Sequence, residues 1–458
     1  MKRPNILLIM SDEHDPAVTC CYGHPLVQTP NLDRLAAGGV LFENAYCNNP
    51  ICVPSRMSFL TGKYASDVNV FDNGLPLASE VPTFAHYLEA SGYETSLCGR
   101  MHMVGPDRLH GFGRRLLDDM SEWVQFGQGP LRTPEARRAS NSHVTECGPG
   151  PPRWLEYDRT ATDLSERFLR NKAQNQAERP WCLVASFMYP HFPLYAPQEY
   201  LDLYPAHRID LPDLGDELLE NQHPAIRQLR YFFHNDHPLP EELTRTALAS
   251  YFALVTLTDE HIGRLLAVVD SSSLKENTVV IYVSDHGEMA GQHGIWQKQC
   301  FYESSVRVPL IVAGPQLVAG ARVSANVSLV DIMPTLLDMA GTPIPEGLRG
   351  RSLLPSLRGD PIHDDLVVAE YHAQGMLSAG YMAKKGNLKY NYYVDLPPQL
   401  FNLAADPNEF VNLAGHPSWA AVQSNLHQEL LAKLDPVEVD GRAKRNQQLE
   451  GMARCYAG

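Results

Sequence analysis

The run Cys52-Val53-Pro54-Ser55-Arg56-Met57-Ser58-Phe59-Leu60-Thr61-Gly62 puts a thiol at the entrance of a predicted helix. Pro54 suits the first turn, where its missing N–H costs nothing, and Gly62 supplies a left-handed residue to end the helix. Cys52 then faces free amides and the positive end of the helix dipole, with Arg56 one turn on, a setting that suits an anion. A buried structural cysteine before a helix is the plain alternative. The second constellation is acidic: Asp12, Asp285 and His286 each follow a short apolar run. Carboxylates gathered in one place repel and raise each other's pKa unless a cation joins them, so a hard divalent metal is the economical reading. Oxygen ligands favour Ca²⁺ or Mg²⁺, and His286 leaves Mn²⁺ open. Either Asp alone would equally serve as a helix cap.

Buried strands must bring these groups together. Pro4 to Met10 is a continuous apolar run, as in a strand covered on both faces of a mostly parallel sheet, and Thr278 to Ser284 has the same character. Each ends on an acidic residue, and open α/β sheets hold their ligands at the carboxyl ends of strands. Trp181 to Phe187 and Pro309 to Ala313 read as further strands, while Thr83 to Ser91 and Leu243 to Val269 carry helical spacing. The expected fold class is α/β, a mostly parallel central sheet sandwiched by helices. From about Arg349 the texture changes. Asp365 to His372, Tyr381 to Tyr393 and Gln399 to Leu403 read as antiparallel strands under a helix near Ser418 to Leu434. The expected division is a catalytic α/β domain over 1–360 and a smaller C-terminal α+β domain over 361–458. Pro193 to Pro240 lacks steady periodicity and reads as loops or short helices lining the pocket. The charged segment after Val439 reads as a solvated end.

With 458 residues, 44% of them hydrophobic and 20% charged, the chain has material for a large core. A formal charge of −15 argues against nucleic acid and anionic membranes as partners. Ile6 to Met10 is too short for a signal-peptide core or a membrane span, which gives a cytoplasmic reading. The nine cysteines form no spaced framework, as expected of a reducing compartment. Apart from Cys52 they read as ordinary small apolar residues. Trp154 and the many aromatics are candidates for a homo-oligomer surface.

The Cys52–Gly62 run resembles the sulfatase signature C/S-x-P-S/A-R followed by T-G, in which a separate maturation enzyme oxidises the cysteine to formylglycine. The opening P-N-I-L-L-I-M-S-D-E is similar to that family's first strand and acidic pair, which implies Asp12 as a metal ligand and leaves Glu13, where relatives carry Asp or Gln, unassigned. The run S-D-H-G-E-M-A-G-Q-H-G-I-W-Q-K is similar to the second metal segment. It implies Asp285 and His286 as ligands beside residue 52, with Lys298 touching the ester. Gly99-Arg100-Met101-His102 resembles a G-K-x-H segment with Arg for Lys, a change that keeps the charge and adds a fork suited to two oxyanion oxygens. Pro190-His191-Phe192-Pro193 matches a P-H-x-P element whose histidine sits by the leaving group. Asn73, in Phe71-Asp72-Asn73, is a substrate contact by resemblance and a turn residue on local grounds. The closing Gln399–Leu413 segment is similar to L-Y-D-L...D-P-x-E...N-L. The resemblance implies an alkaline-phosphatase-like fold with Ca²⁺ as the expected metal, Mn²⁺ or Mg²⁺ remaining open.

Thiolate attack on a sulfate ester would leave a thiosulfate-type adduct with no easy exit, whereas one hydroxyl of a hydrated aldehyde can attack the sulfur in line. Arg56, Arg100 and Lys298 are implied to balance charge on the non-bridging oxygens. His191 or Lys298 would be the acid for the departing alcohol, and His102 the base that collapses the hemiacetal. The implied substrate is a small-molecule sulfate ester of choline, a sugar or a phenol. A phosphonate monoester or phosphodiester hydrolase of the same superfamily is the nearest rival, and a non-catalytic anion-binding protein a more distant one.

Overall fold

The computed structural model describes residues 3–120, 132–175, 179–214 and 222–457. Eleven strands precede residue 330: β1 (Asn5–Asp12), β2 (Val40–Tyr46), β3 (Glu94–Gly99), β4 (Arg114–Leu117), β5 (Cys147–Pro149), β6 (Trp181–Pro190), β7 (Leu194–Ala196), β8 (Thr278–Ser284), β9 (Arg307–Ala313), β10 (Ala321–Val323) and β11 (Val327–Ser328). β5 and β7 pair with each other, and the other nine form one sheet in the order β10-β2-β9-β8-β1-β6-β3-β4, with β11 against β2. All its pairings are parallel except those of β9, which runs antiparallel to both β2 and β8. The strand expected at Pro309 to Ala313 is present as β9, and it runs antiparallel because it enters from the Glu303–Val306 turn at the carboxyl edge.

Every residue of β1 after Asn5 is buried, which explains why its apolar run shows no alternation. Leu7 and Ile9 join Leu169, Ile262 and Leu265 on one face, and Ile6, Leu8 and Met10 join Phe59, Phe84 and Leu336 on the other. The helices behind these contacts are Leu155–Gln174 and Glu241–Asp270 on the first face, and Cys52–Thr61, Phe84–Ala90 and Ile332–Met339 on the second. Burying a side chain of this size contributes about 1.5–3 kcal/mol, so the two layers anchor the sheet firmly.

Four neighbouring parallel strands, β8, β1, β6 and β3, deliver their carboxyl ends to one edge. Ser11 pairs with Ser284, so Asp12 and Asp285 emerge at the same level. At the end of β3, Gly99 has φ +94°, and an added Cβ would run into the Ser186 carbonyl of β6, so only glycine lets the chain turn there.

The later strands β12 (Val367–Tyr371), β13 (Gly380–Lys385), β14 (Leu388–Tyr393) and β15 (Leu396–Asn402) form an antiparallel four-stranded sheet in that order. Leu426 and Leu430 of the Ala420–Leu431 helix pack against it. Tyr64, Phe71 and Val330 share that cluster, and the Asn48 amide donates to the Val368 carbonyl at 2.8 Å. The segment after Val439 is not a solvated end. Pro436–Ala457 is a helix in which Val439, Asp440 and Ala443 are buried, and Arg132 holds Asp440 at 3.0 Å. Trp154 is also buried, 2% exposed under Arg153, and offers no surface for self-association. Pro193 to Pro240, where described, holds the short β7 and helices at Gln198–Leu201 and Pro224–Phe232. Among the described residues no helix is long and apolar enough to cross a membrane, and the cysteines from Cys20 to Cys300 form no disulfide.

Candidate active site

The Cys52–Thr61 helix begins on Cys52 and ends where Gly62 takes φ +63°. The Asn73 side-chain carbonyl accepts from Val53 N at 2.9 Å, so Asn73 satisfies one free amide of the first turn. The Cys52 sulfur lies 3.2 Å from His286 Nε2 and 3.9 Å from Asp12 Oδ1. Ligand atoms of Asp12, Cys52, Asp285 and His286 all fall within 4.8 Å of one another, and all four residues are buried. His286 Nδ1 is 3.0 Å from the Gly287 carbonyl, which can only accept. The ring proton therefore sits on Nδ1, and the Nε2 lone pair faces the cluster. Two carboxylates and an imidazole lone pair make a donor set that fits a divalent cation.

Arg56 is wholly engaged with this set. Its Nε donates to Asp285 Oδ2 at 2.8 Å, Nη2 to Asp12 Oδ2 at 2.9 Å, and Nη1 to the Arg100 carbonyl at 2.6 Å and Ser186 Oγ at 3.1 Å. It lies under the carboxylates and fixes their spacing. Arg100 donates from Nε to Asp12 Oδ2 at 2.5 Å and from Nη1 to the Met188 sulfur at 3.3 Å. Burial would raise the Asp12 carboxyl, but the Arg100 and Arg56 guanidinium groups outweigh it and hold it well below the ordinary range. The thiol moves the other way. Burial, with Asp12 adding to it, pushes Cys52 up to about 12, so the unmodified residue is a neutral thiol and a poor nucleophile.

Arg100 Nη2 lies 3.2 Å from His102 Nδ1. A guanidinium only donates, so Nδ1 accepts and the neutral ring carries its proton on Nε2. Burial and the Arg100 charge hold His102 well below its usual value, keeping it neutral. It is thus set as a hydrogen-bond donor, and the base role expected from the sequence requires the Arg100 contact to break first. Its backbone has φ +58° and is held by Asp119, whose carboxylate accepts from the amides of Met101, His102 and Met103 at 2.8, 2.8 and 3.0 Å.

On the other side, Lys298 Nζ is 2.7 Å from Glu13 Oε1, and His191 Nε2 is 3.3 Å from Glu13 Oε2. Lys298 sits between Gln297 (φ +87°) and Gln299 (φ +72°), and this strained loop is pinned by Gln297 N on Glu288 Oε1 at 2.8 Å and Gln299 N on the Pro50 carbonyl at 3.2 Å. Burial would depress the Lys298 ammonium, but Glu13 beside it holds it above its ordinary value. His191 donates from Nδ1 to the Phe192 carbonyl at 2.7 Å and stacks on the Phe192 ring. Burial, then Lys298, holds its pKa well below the usual range.

Sequence reasoning thus named the residues that meet here. It missed Asp119, Glu13 as the partner of Lys298 and His191, and Tyr251, whose hydroxyl donates to the Glu13 carbonyl at 2.7 Å. Only the pairing of Glu13 with Asp12 in the first strand hinted at any of these.

The family model described as sulfatase matches residues 4–342, and that of the N-sulphoglucosamine sulphohydrolase C-terminal region matches residues 291–435. The chain is 35% identical to choline-sulfatase of Rhizobium meliloti over 93% of its own length and 85% of the relative's. It is 30% identical to arylsulfatase K of Bos taurus over 93% and 81%. Among solved structures it is similar to the phosphonate monoester hydrolase of Silicibacter pomeroyi, with a TM-score of 0.78, 26% identity and coverage of 94% and 96%. A match over most of the chain, with the signature thiol seated among candidate metal-ligand side chains at the sheet's carboxyl edge, means that this chain belongs to the sulfatase family of the alkaline phosphatase superfamily and is a sulfuric ester hydrolase.

Proposed function

We propose that this enzyme hydrolyses a small sulfate monoester with residue 52 acting as formylglycine, and that Asp12, Asp285 and His286 hold a Ca²⁺ ion beside it. The observation that supports this most is the convergence of the Cys52 sulfur with those three ligands inside 4.8 Å. Bound there, the cation would acidify a hydroxyl of residue 52 and neutralise ester charge. Arg56 keeps the two carboxylates apart and aligned. Arg100 and His102 form the donor side of the oxyanion pocket, with His102 offering its Nε2 proton. Lys298 and His191 stand on the opposite side and serve the departing alcohol oxygen, Lys298 as the ammonium that donates a proton to it and His191 as a neutral ring, its own proton on Nδ1, whose Nε2 lone pair faces the same space. Three non-bridging oxygens use the paired donors Arg100 and His102 more fully than a diester does, which favours sulfate over the phosphonate chemistry of the structural neighbour.

The test is turnover of an aryl sulfate and an aryl phosphonate ester by one preparation matured with the formylglycine-generating enzyme, with choline sulfate and a sulfated sugar as further substrates. Preference for a sulfate ester is expected, and a strong phosphonate preference overturns the reading. Mass spectrometry of the peptide over residues 51–63 should find the aldehyde or its hydrate, and metal analysis should find one Ca²⁺, with Mn²⁺ or Mg²⁺ as the contrary results.

A further inference from the structure

Glu13 follows a metal-ligand candidate in sequence, yet its carboxylate groups with Asp12 and His191 and not with Cys52, Asp285 and His286. The residue has φ +68°, a left-handed conformation that a side chain bearing a Cβ adopts only when its surroundings impose it. The imposition is visible. The Glu13 amide donates to Asp285 Oδ1 at 3.2 Å, and the Glu13 carbonyl accepts from Tyr251 at 2.7 Å. Clamped at both backbone groups, Glu13 sends its side chain to Lys298 and His191, one carboxylate oxygen to each. The carboxylate is 1% exposed, and neither oxygen has a hydrogen bond of regular geometry; the Lys298 ion pair and the neutral His191 ring are its close contacts, with the Glu288 carboxyl beside them. The Lys298 ammonium also lies 5.2 Å from the centre of the Phe192 ring, which the His191 ring stacks against at 4.1 Å. Glu13 and Phe192 together leave Lys298 and His191 little freedom.

We infer that Glu13 is a positioning residue for the leaving-group side of the site, holding Lys298 and His191 at the departing oxygen instead of joining the metal ligands. This rests on the sulfate-ester reading above. A group that aligns the leaving-group acid matters most where the departing oxygen is basic and needs a proton, and least for a good leaving group. A metal ligand would instead affect all substrates alike and weaken the ion.

The experiment compares wild type, E13Q, E13A and K298A, all formylglycine-matured, on a series of aryl sulfates graded by the acidity of the phenol, alongside Ca²⁺ titration by calorimetry and thermal melts. For E13A, kcat/KM is expected to fall by about 100-fold on the poorest leaving group and by about threefold on the best, steepening the dependence on phenol acidity. E13Q, which can still contact both partners, should recover part of the loss. E13A combined with K298A should lose less than the product of the two single losses. Ca²⁺ affinity of E13Q should stay within about threefold of wild type. A uniform loss across the series, or a drop in Ca²⁺ affinity of tenfold or more, overturns the inference. Wild type inert on every sulfate would instead count against the sulfate reading, and the Ca²⁺ titration of E13Q would still decide whether Glu13 is a ligand.

Discussion

At the carboxyl edge of the central sheet, Asp12, Asp285, Glu13, Arg56, Arg100 and Lys298 are buried around a neutral thiol. Near β14, a second group is buried just as deeply. Lys389 Nζ lies 2.6 Å from Glu303, 2.9 Å from Glu409 and 2.8 Å from the Phe301 carbonyl, one partner for each of its three protons. Glu303 accepts from Tyr46 at 2.9 Å, and Glu409 from Glu303 N at 2.7 Å. Glu409 belongs to the closing D-P-x-E-like segment, so that motif clamps β14 to the turn before β9. The second cluster is closed by its own chain. Left-handed residues occur in both, Glu409 (φ +59°) in the second and Glu13, His102, Gln297 and Gln299 in the first, but only the first gathers the side chains of Asp12, Cys52, Asp285 and His286 as a candidate ligand set. Buried charge whose partners come from separate segments of one chain holds those segments together, whereas buried acidic and imidazole groups gathered at one strand edge beside a reactive side chain mark where a ligand acts.

The sharpest way to break this comparison is Cys52→Ala. Hydrolysis should fall by about 10⁴-fold or more in kcat, while stability changes by no more than about 1 kcal/mol. Activity assays and thermal melts check both, and substantial turnover by the variant would refute the precursor role of Cys52. Lys389→Ala should do the reverse. Stranding two buried carboxylates should cost about 3–5 kcal/mol in denaturant unfolding, with kcat/KM of the folded protein close to wild type. A large loss of turnover without loss of stability would mean that the two clusters are coupled.

A smaller effect concerns Asp119, which supports the Arg100–His102 loop. Burial raises its pKa, but Arg115 and the backbone amides overcome this and hold it at about 2. Its folded-state value lies below that of an unfolded Asp, so its contribution is present above about pH 4 and is lost as pH falls toward 2. That contribution is about 2 kcal/mol, and D119N should remove it, flattening stability against pH over this window and weakening turnover by loosening His102. Unchanged acid unfolding in D119N would show that Asp119 does not carry it.

Much of this molecule was legible from local pattern. The apolar runs of β1 and β8, the cap-to-glycine span of the Cys52 helix and the antiparallel strands after residue 365 follow from hydrophobic period and turn chemistry, which act over a few residues. So does the list of groups with chemistry to perform, because each sits just past a strand end or at a helix start. Local pattern gave no direction for β9 and misread the solvated end and the surface role of Trp154, since strand direction and burial depend on what lies across the fold. Partner choice lay beyond it too. That Arg56 lies beneath two carboxylates and that Glu13 faces Lys298 are contacts between residues 44 to 285 positions apart, decided by sheet order and by backbone conformations that tertiary packing imposes. The sequence alone named the residues that gather at this edge and, through the family resemblance, implied conversion of residue 52. Only the tertiary structure decided which charge each one faces, because electrostatic pairing depends on distances that no short stretch of chain encodes.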